Sequence, residues 1–97
     1  MSAVDSKPVR VNIPQALISR TGNQRWVRVH GDTVREVINA LDAEYPGLKF
    51  NVCFETGELR HFVNIFVQGD DVRALQGLDT AVTPGATVYI IHSIAGG

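Results

Sequence analysis

Cysteine occurs once in the 97 residues, at Cys53. A single thiol excludes an intrachain disulfide and equally a Cys-x-x-Cys zinc or redox motif. Free cysteine is among the most buried residue types, so Cys53 is expected to be a small core hydrophobe. A surplus of one charge is also missing, since nine Lys and Arg stand against ten Asp and Glu, for a net charge of −1 at pH 7. The basic stripe that nucleic-acid binding requires is therefore absent, and nothing calls for an anionic membrane surface as partner. Arg20, Arg25, Arg28 and Arg35 lean basic in the first half but are spread over different elements and read as solvated. No apolar run approaches the ~20 residues that span a membrane. Residues 1–7 are polar and lack the apolar core of a secretory signal. The expectation is a cytoplasmic protein with no membrane or nucleic-acid partner. A nucleophile–base pair is missing as well. His30, His61 and His92 are scattered over different segments, so the chain is expected to hold no catalytic residue, no metal and no bound cofactor; His92 lies nearest the C-terminus.

What is present suits one globular domain, for 97 residues with 44% hydrophobic content can bury a single core. Val9-Arg10-Val11-Asn12-Ile13 alternates strictly, as a half-buried strand does, and Pro14 ends it. After the turn cluster Thr21-Gly22-Asn23-Gln24, Arg25-Trp26-Val27-Arg28-Val29 alternates again, which predicts an antiparallel hairpin with a long connection. Thr33-Val34-Arg35-Glu36 fits a capping box, in which Thr33 accepts from an early helical amide while Glu36 reaches back to the cap. Val34, Val37, Ile38, Leu41 and Tyr45 follow at helical spacing as one apolar stripe, and Pro46-Gly47 stops the helix. Residues 48–55 fit either a strand, because Phe50, Val52 and Phe54 alternate, or a short helical turn. Phe62-Val63-Asn64-Ile65-Phe66-Val67 is dense in β-branched and aromatic residues and predicts a strand. Val72 opens a short strand, 75–81 is a compact loop with one 3₁₀ turn, and 87–93 is the last strand. One helix against a mixed sheet is an α+β plan. With the last strand paired beside the first, it is the β-grasp, or ubiquitin-like, fold.

The chain then finishes at Ala95-Gly96-Gly97. Two glycines build no core and stabilise no helix or strand; they supply a slim backbone that ends in an α-carboxylate and can enter a narrow channel. A frayed, irrelevant terminus is the other reading. The expected division is a disordered leader over 1–7, the domain over 8–93 and a flexible tail over 94–97. Side-chain parity also predicts a docking face. If Val63, Ile65 and Val67 face the helix, then Phe62, Asn64 and Phe66 face away. If Val88 and Ile90 face inward, Tyr89 and Ile91 face outward. Phe62, Phe66, Tyr89 and Ile91 would then form an exposed apolar patch of the kind that marks an interaction site, unless residues 48–54 fold over them.

Gly31-Asp32-Thr33 at the helix start, Leu59-Arg60-His61-Phe62-Val63-Asn64-Ile65, Asp71-Val72-Arg73, and Pro84-Gly85-Ala86-Thr87-Val88 with the closing Ala95-Gly96-Gly97 together resemble the ThiS/MoaD sulfur-carrier family. The likeness runs from Val9 to Gly97 and is greatest to the CysO type, which serves cysteine assembly in actinobacteria. The resemblance implies that an E1-like enzyme uses ATP to adenylate the carboxylate of Gly97. A persulfide or rhodanese-type donor then installs sulfur as a thiocarboxylate, and a downstream synthase accepts it. It further implies a metalloprotease that trims or releases the tail as a partner of some carriers. Three other readings stay open at this point: a ubiquitin-like modifier joined to lysines through Gly97, the small subunit of molybdopterin synthase, and a plain binding module.

Overall fold

The computed structural model describes residues 7–93. In chain order it contains β1 (Val9–Asn12), a 3₁₀ helix (Gln15–Thr21), β2 (Trp26–Val29), α1 (Val34–Glu44), α2 (Leu48–Val52), β3 (Val63–Val67) and β4 (Asp70–Asp71). Two short 3₁₀ helices (Val72–Ala74 and Gly77–Asp79) and β5 (Thr87–His92) complete it. The five strands form one sheet in the order β2-β1-β5-β3-β4. β5 runs parallel to β1 and antiparallel to β3, so the last strand lies in the middle, beside the first. This is the β-grasp arrangement that the order of sequence signals implies.

One face of the sheet is the core. Val9 and Val11, Val27 and Val29, Val63, Ile65 and Val67, and Val88 and Ile90 are buried at alternate positions. Over them lie Val34, Val37, Ile38 and Leu41 of α1. Burial of each such side chain contributes about 1.5–3 kcal/mol. The helix starts as the capping signal predicts, with one difference. Thr33 Oγ1 accepts from the Glu36 N–H at 3.2 Å, but Glu36 Oε1 accepts from the Asp32 N–H at 2.8 Å, one residue before the cap. The backbone at Thr33 is drawn into an antiparallel bridge with Ala81, and Glu36 reaches past it. Gly31 lies so close to α1 that a Cβ there would stand 2.9 Å from the Val37 nitrogen.

Two segments that the sequence leaves open take definite form, and one differs from the sequence expectation. Within the long connection between β1 and β2, residues 15–21 form a 3₁₀ helix that buries Leu17 and Thr21. Thr21 survives burial because its hydroxyl donates to the Gln24 carbonyl at 2.8 Å. Of the two readings of 48–55, the helical one holds, as α2. Leu48 and Val52, four apart, enter the core, while Phe50 and Phe54 point outward. Asp42 fixes the start of α2, its Oδ1 accepting from the N–H groups of Gly47 and Lys49. Val72 does not open a strand; the strand is Asp70–Asp71, and Val72 begins a 3₁₀ turn capped by Asp71 Oδ1, which accepts from the Arg73 N–H at 2.8 Å. Among the described residues no helix is long and apolar enough to cross a membrane. The leader expected over 1–7 lies outside the described residues apart from Lys7, whose carbonyl accepts from the Gly85 N–H. The tail expected over 94–97 lies wholly outside them.

Candidate docking face at the root of the tail

Among the described residues no helix packs on the second face of the sheet. A row of residues in register crosses it from edge to edge: Trp26, Asn12, Tyr89, Phe66 and Asp71. Trp26 and Tyr89 meet over Asn12, with ring centroids 5.7 Å apart and an edge-on angle of 75°. Ile91 stands two residues further along β5, opposite Asn64. Trp26 is 44% exposed and Tyr89 and Ile91 are each 40% exposed, while Phe66 is half-buried. α2 packs against α1 and the 15–21 helix on the core side, so residues 48–54 leave this face open. Phe62 is exposed but belongs to the turn before β3, and its ring meets His92 edge-on at 4.8 Å. Trp26 is the residue that parity reasoning passed over. Its neighbours Val27 and Val29 are inward, which already turns Trp26 outward, but only the strand order β2-β1-β5 brings it to Tyr89.

The face stands at the root of the C-terminal segment. β5 ends at His92, and the Ser93 N–H still donates to the Phe62 carbonyl at 2.8 Å. Gly97, Gly96 and Ala95, the expected reacting end and slim tail, lie outside the described residues. From Ser93 onward four residues remain, an extended reach of roughly 13 Å at ~3.3–3.6 Å per residue.

The Asp71-Val72-Arg73 motif has a structural role. Arg73 Nη1 donates to the Val63 carbonyl and to Asn64 Oδ1, both at 2.7 Å, and Nη2 donates to the Arg60 carbonyl at 2.8 Å. One guanidinium thus fastens the turn that leads into β3. Beside it lies an open groove of about 470 Å³ lined by Arg35, Phe54, Leu59, His61, Arg73 and Leu78. Its two arginines are engaged, Arg73 as described and Arg35 with Asp79 at 3.3 Å. Cys53 is buried, and desolvation pushes its thiol above the ordinary value against the smaller opposing pull of Lys49, Arg35 and Arg60. It packs within the hydrophobic core, as expected of a lone cysteine. His30, His61 and His92 lie in separate places, after β2, before β3 and at the end of β5. The His92 Nδ1 atom is buried and has no hydrogen-bond partner among the described residues. Among those residues no three His, Cys, Asp or Glu side chains converge as metal ligands would.

The model of the ThiS family matches residues 11–97. The chain is 42% identical over 91 residues to the sulfur carrier protein CysO of Mycobacterium tuberculosis, covering 92% of this chain and 98% of that protein. It is 39% identical over 71 residues to the small archaeal modifier protein 3 of Haloferax volcanii, covering 72% of this chain and 76% of that protein. Among solved structures, the crystal structure of the Amycolatopsis orientalis BexX/CysO complex contains a chain that superposes with a TM-score of 0.86 at 36% identity, covering 92% of this chain and 99% of that one.

Proposed function

The chain belongs to the ThiS family, and from that premise we propose that it is a sulfur carrier whose working group is the α-carboxylate of Gly97. The likeness to a protein named as a sulfur carrier, over nearly the full length of both chains, supports this reading. The observation that carries it here is that the strand leading into the tail, β5, also presents Tyr89 and Ile91 on an uncovered apolar face. A partner that docks on that face has the carboxylate of Gly97 within a short extended reach.

The chemistry follows from the carboxylate. It is a poor electrophile, because its negative charge repels nucleophiles and its oxygen is a poor leaving group. An E1-like enzyme would join the carboxylate to the α-phosphorus of ATP and release pyrophosphate, leaving an acyl-adenylate. The terminal sulfur of a persulfide then attacks the carbonyl carbon and AMP departs. Cleavage of the resulting S–S bond by a thiol leaves a thiocarboxylate at Gly97. One hard substitution is thereby divided into easier ones, as in covalent catalysis. The carrier performs none of these steps. Gly97 supplies the reacting group, Gly96 and Ala95 a slim approach, and Phe66, Tyr89 and Ile91, with Phe62 at the margin, the surface that the enzyme recognises. ATP is bound by that enzyme, and a cytoplasmic setting, where ATP is available, goes with this reading. The sulfur passes to a biosynthetic enzyme; the complex of BexX with CysO shows that a carrier of this type forms a protein complex, and the likeness to CysO favours cysteine assembly as the destination.

The likeness to a small archaeal modifier protein favours one second reading, conjugation of Gly97 to lysines. Intact-mass spectrometry of the protein isolated from its own cells separates the two. Replacement of one oxygen by sulfur at Gly97 is the expected result. A C-terminus bearing oxygen alone, with Gly97 linked to lysines of other proteins, would replace the carrier reading by the modifier one.

A further inference from the structure

Beside its apolar row, the open face carries a charge arrangement that folding alone disfavours. Arg10 of β1 and Arg28 of β2 stand directly opposite each other. The Ile13 N–H donates to the Arg25 carbonyl, so by the alternation of an antiparallel ladder the 10–28 pair is a non-hydrogen-bonded one, whose side chains approach most closely. Like charges in that position are destabilising. Arg10 is held in place, with Nη2 donating to Thr87 Oγ1 at 3.0 Å and its guanidinium 5.4 Å from the centre of the Trp26 ring. Arg28 has no hydrogen bond or ion pair among the described residues. Glu44 shares an adjoining hollow with it without forming an ion pair. Arg10, Arg28 and Trp26 together line a notch of about 260 Å³.

We propose that this notch receives an aspartate or glutamate side chain of the adenylating enzyme, with its carboxylate between the two guanidinium groups and its stem against Trp26. This rests on the reading that such an enzyme docks on the open face. Two guanidinium groups converging on one carboxylate provide charge-assisted hydrogen bonds. Closing the interface over Tyr89 and Ile91 removes water and strengthens them. Trp and Arg are among the residue types most enriched where binding energy concentrates. A charge on the edge strand β2 also discourages edge-to-edge aggregation, but that role needs neither the facing Arg10 nor Trp26, and a glutamate would fill it equally.

The test uses the full chain and its adenylating enzyme. Binding is measured by calorimetry at low and high salt, and activation by pyrophosphate release. Arg28→Glu is expected to weaken binding by about tenfold or more, to raise KM with kcat at saturation retained, and to leave the melting temperature equal or higher, because the new carboxylate faces Arg10. Arg28→Lys should recover part of the loss, and the wild-type affinity should fall as salt rises. Binding of Arg28→Glu within twofold of wild type would overturn the assignment. Saturable uptake of inorganic phosphate at the notch, with enzyme binding indifferent to Arg28, would make it a free-anion site and overturn it too. Arginine-dependent binding without pyrophosphate release would instead uphold the notch and sink the sulfur-carrier reading.

Discussion

Single residues decide two properties that no partner is needed to test. Gly31 is required by contact rather than by backbone conformation, since an added Cβ would meet the Val37 nitrogen at 2.9 Å and the Glu36 carbonyl carbon at 3.1 Å. Backbone of the first helical turn cannot yield as a flexible side-chain tip can. Gly31→Ala is therefore expected to cost about 1–3 kcal/mol, as overpacking does; chemical denaturation measures it, and an unchanged midpoint would show that α1 is free to shift. Cys53 sets an alkaline limit. Its folded thiol titrates above the ordinary value of 9.0 because burial disfavours the thiolate. The unfolded chain then releases this proton first as pH rises, so its contribution to stability is intact below about pH 9 and is lost above it. The fall in unfolding free energy between about pH 8 and about pH 10 should be steeper for the wild type than for Cys53→Ala. Parallel curves would place the thiol in contact with water.

At the scale of elements, β5 joins fold to function, because one strand fills the core with Val88 and Ile90, presents Tyr89 and Ile91 outward, and continues into the tail. Its central place, between β1 and β3, fixes the root of that tail far more firmly than an edge strand would. Changes beyond Ser93 should therefore separate loading from folding. Removal of Gly97, or addition of one residue after it, is expected to abolish thiocarboxylate formation with no change in melting temperature. If the tail enters a narrow channel of the enzyme, as proposed, Gly96→Val should be loaded much more slowly, because a branched side chain widens it. Normal sulfur loading of the truncated chain, read by mass spectrometry, would eliminate Gly97 as the reacting residue.

For the whole molecule, the two faces of one sheet divide the work. The inner face, under α1, is the core; the outer face, with Tyr89 and Ile91 exposed, is the one proposed for recognition. Ile91→Ala and Tyr89→Ala should weaken activation by the E1-like enzyme several-fold while lowering stability little, since both side chains are already 40% exposed. Phe66→Ala should do both to a degree, being half-buried beside Tyr89. A buried aromatic cut to alanine would lose ~3–5 kcal/mol, so a melting-temperature drop of that scale for Ile91→Ala or Tyr89→Ala, with activation intact, would transfer the recognition role elsewhere.

Much of this plan can be read from local chemistry. Strict alternation in 9–13 and 25–29 marks which residues are buried, because a strand's side chains repeat every two positions whatever lies beside it, whereas 62–67 and 87–93 are apolar runs in which the sequence shows a strand but leaves open which parity faces the core. Thr33 and Pro46-Gly47 bracket α1 because caps and stops act within one turn. The Gly96-Gly97 end suggests its chemistry only together with the domain before it, since alone it reads equally as a frayed terminus. Short elements were less legible. Phe50, Val52 and Phe54 alternate, yet Leu48 and Val52 are the pair that α1 and the sheet bury, and a five-residue segment carries too little pattern to choose between the two. Long-range placement was not legible at all. Only the sheet order carries Trp26 across Asn12 to Tyr89, only the register sets Arg28 against Arg10, and only the return of the chain after β4 lets Arg73 fasten the carbonyls of Arg60 and Val63. Each of those meetings joins residues distant in sequence, so the sequence determined most of the elements, through caps and alternation that act locally, while tertiary structure decided which side chains share the face that a partner would read.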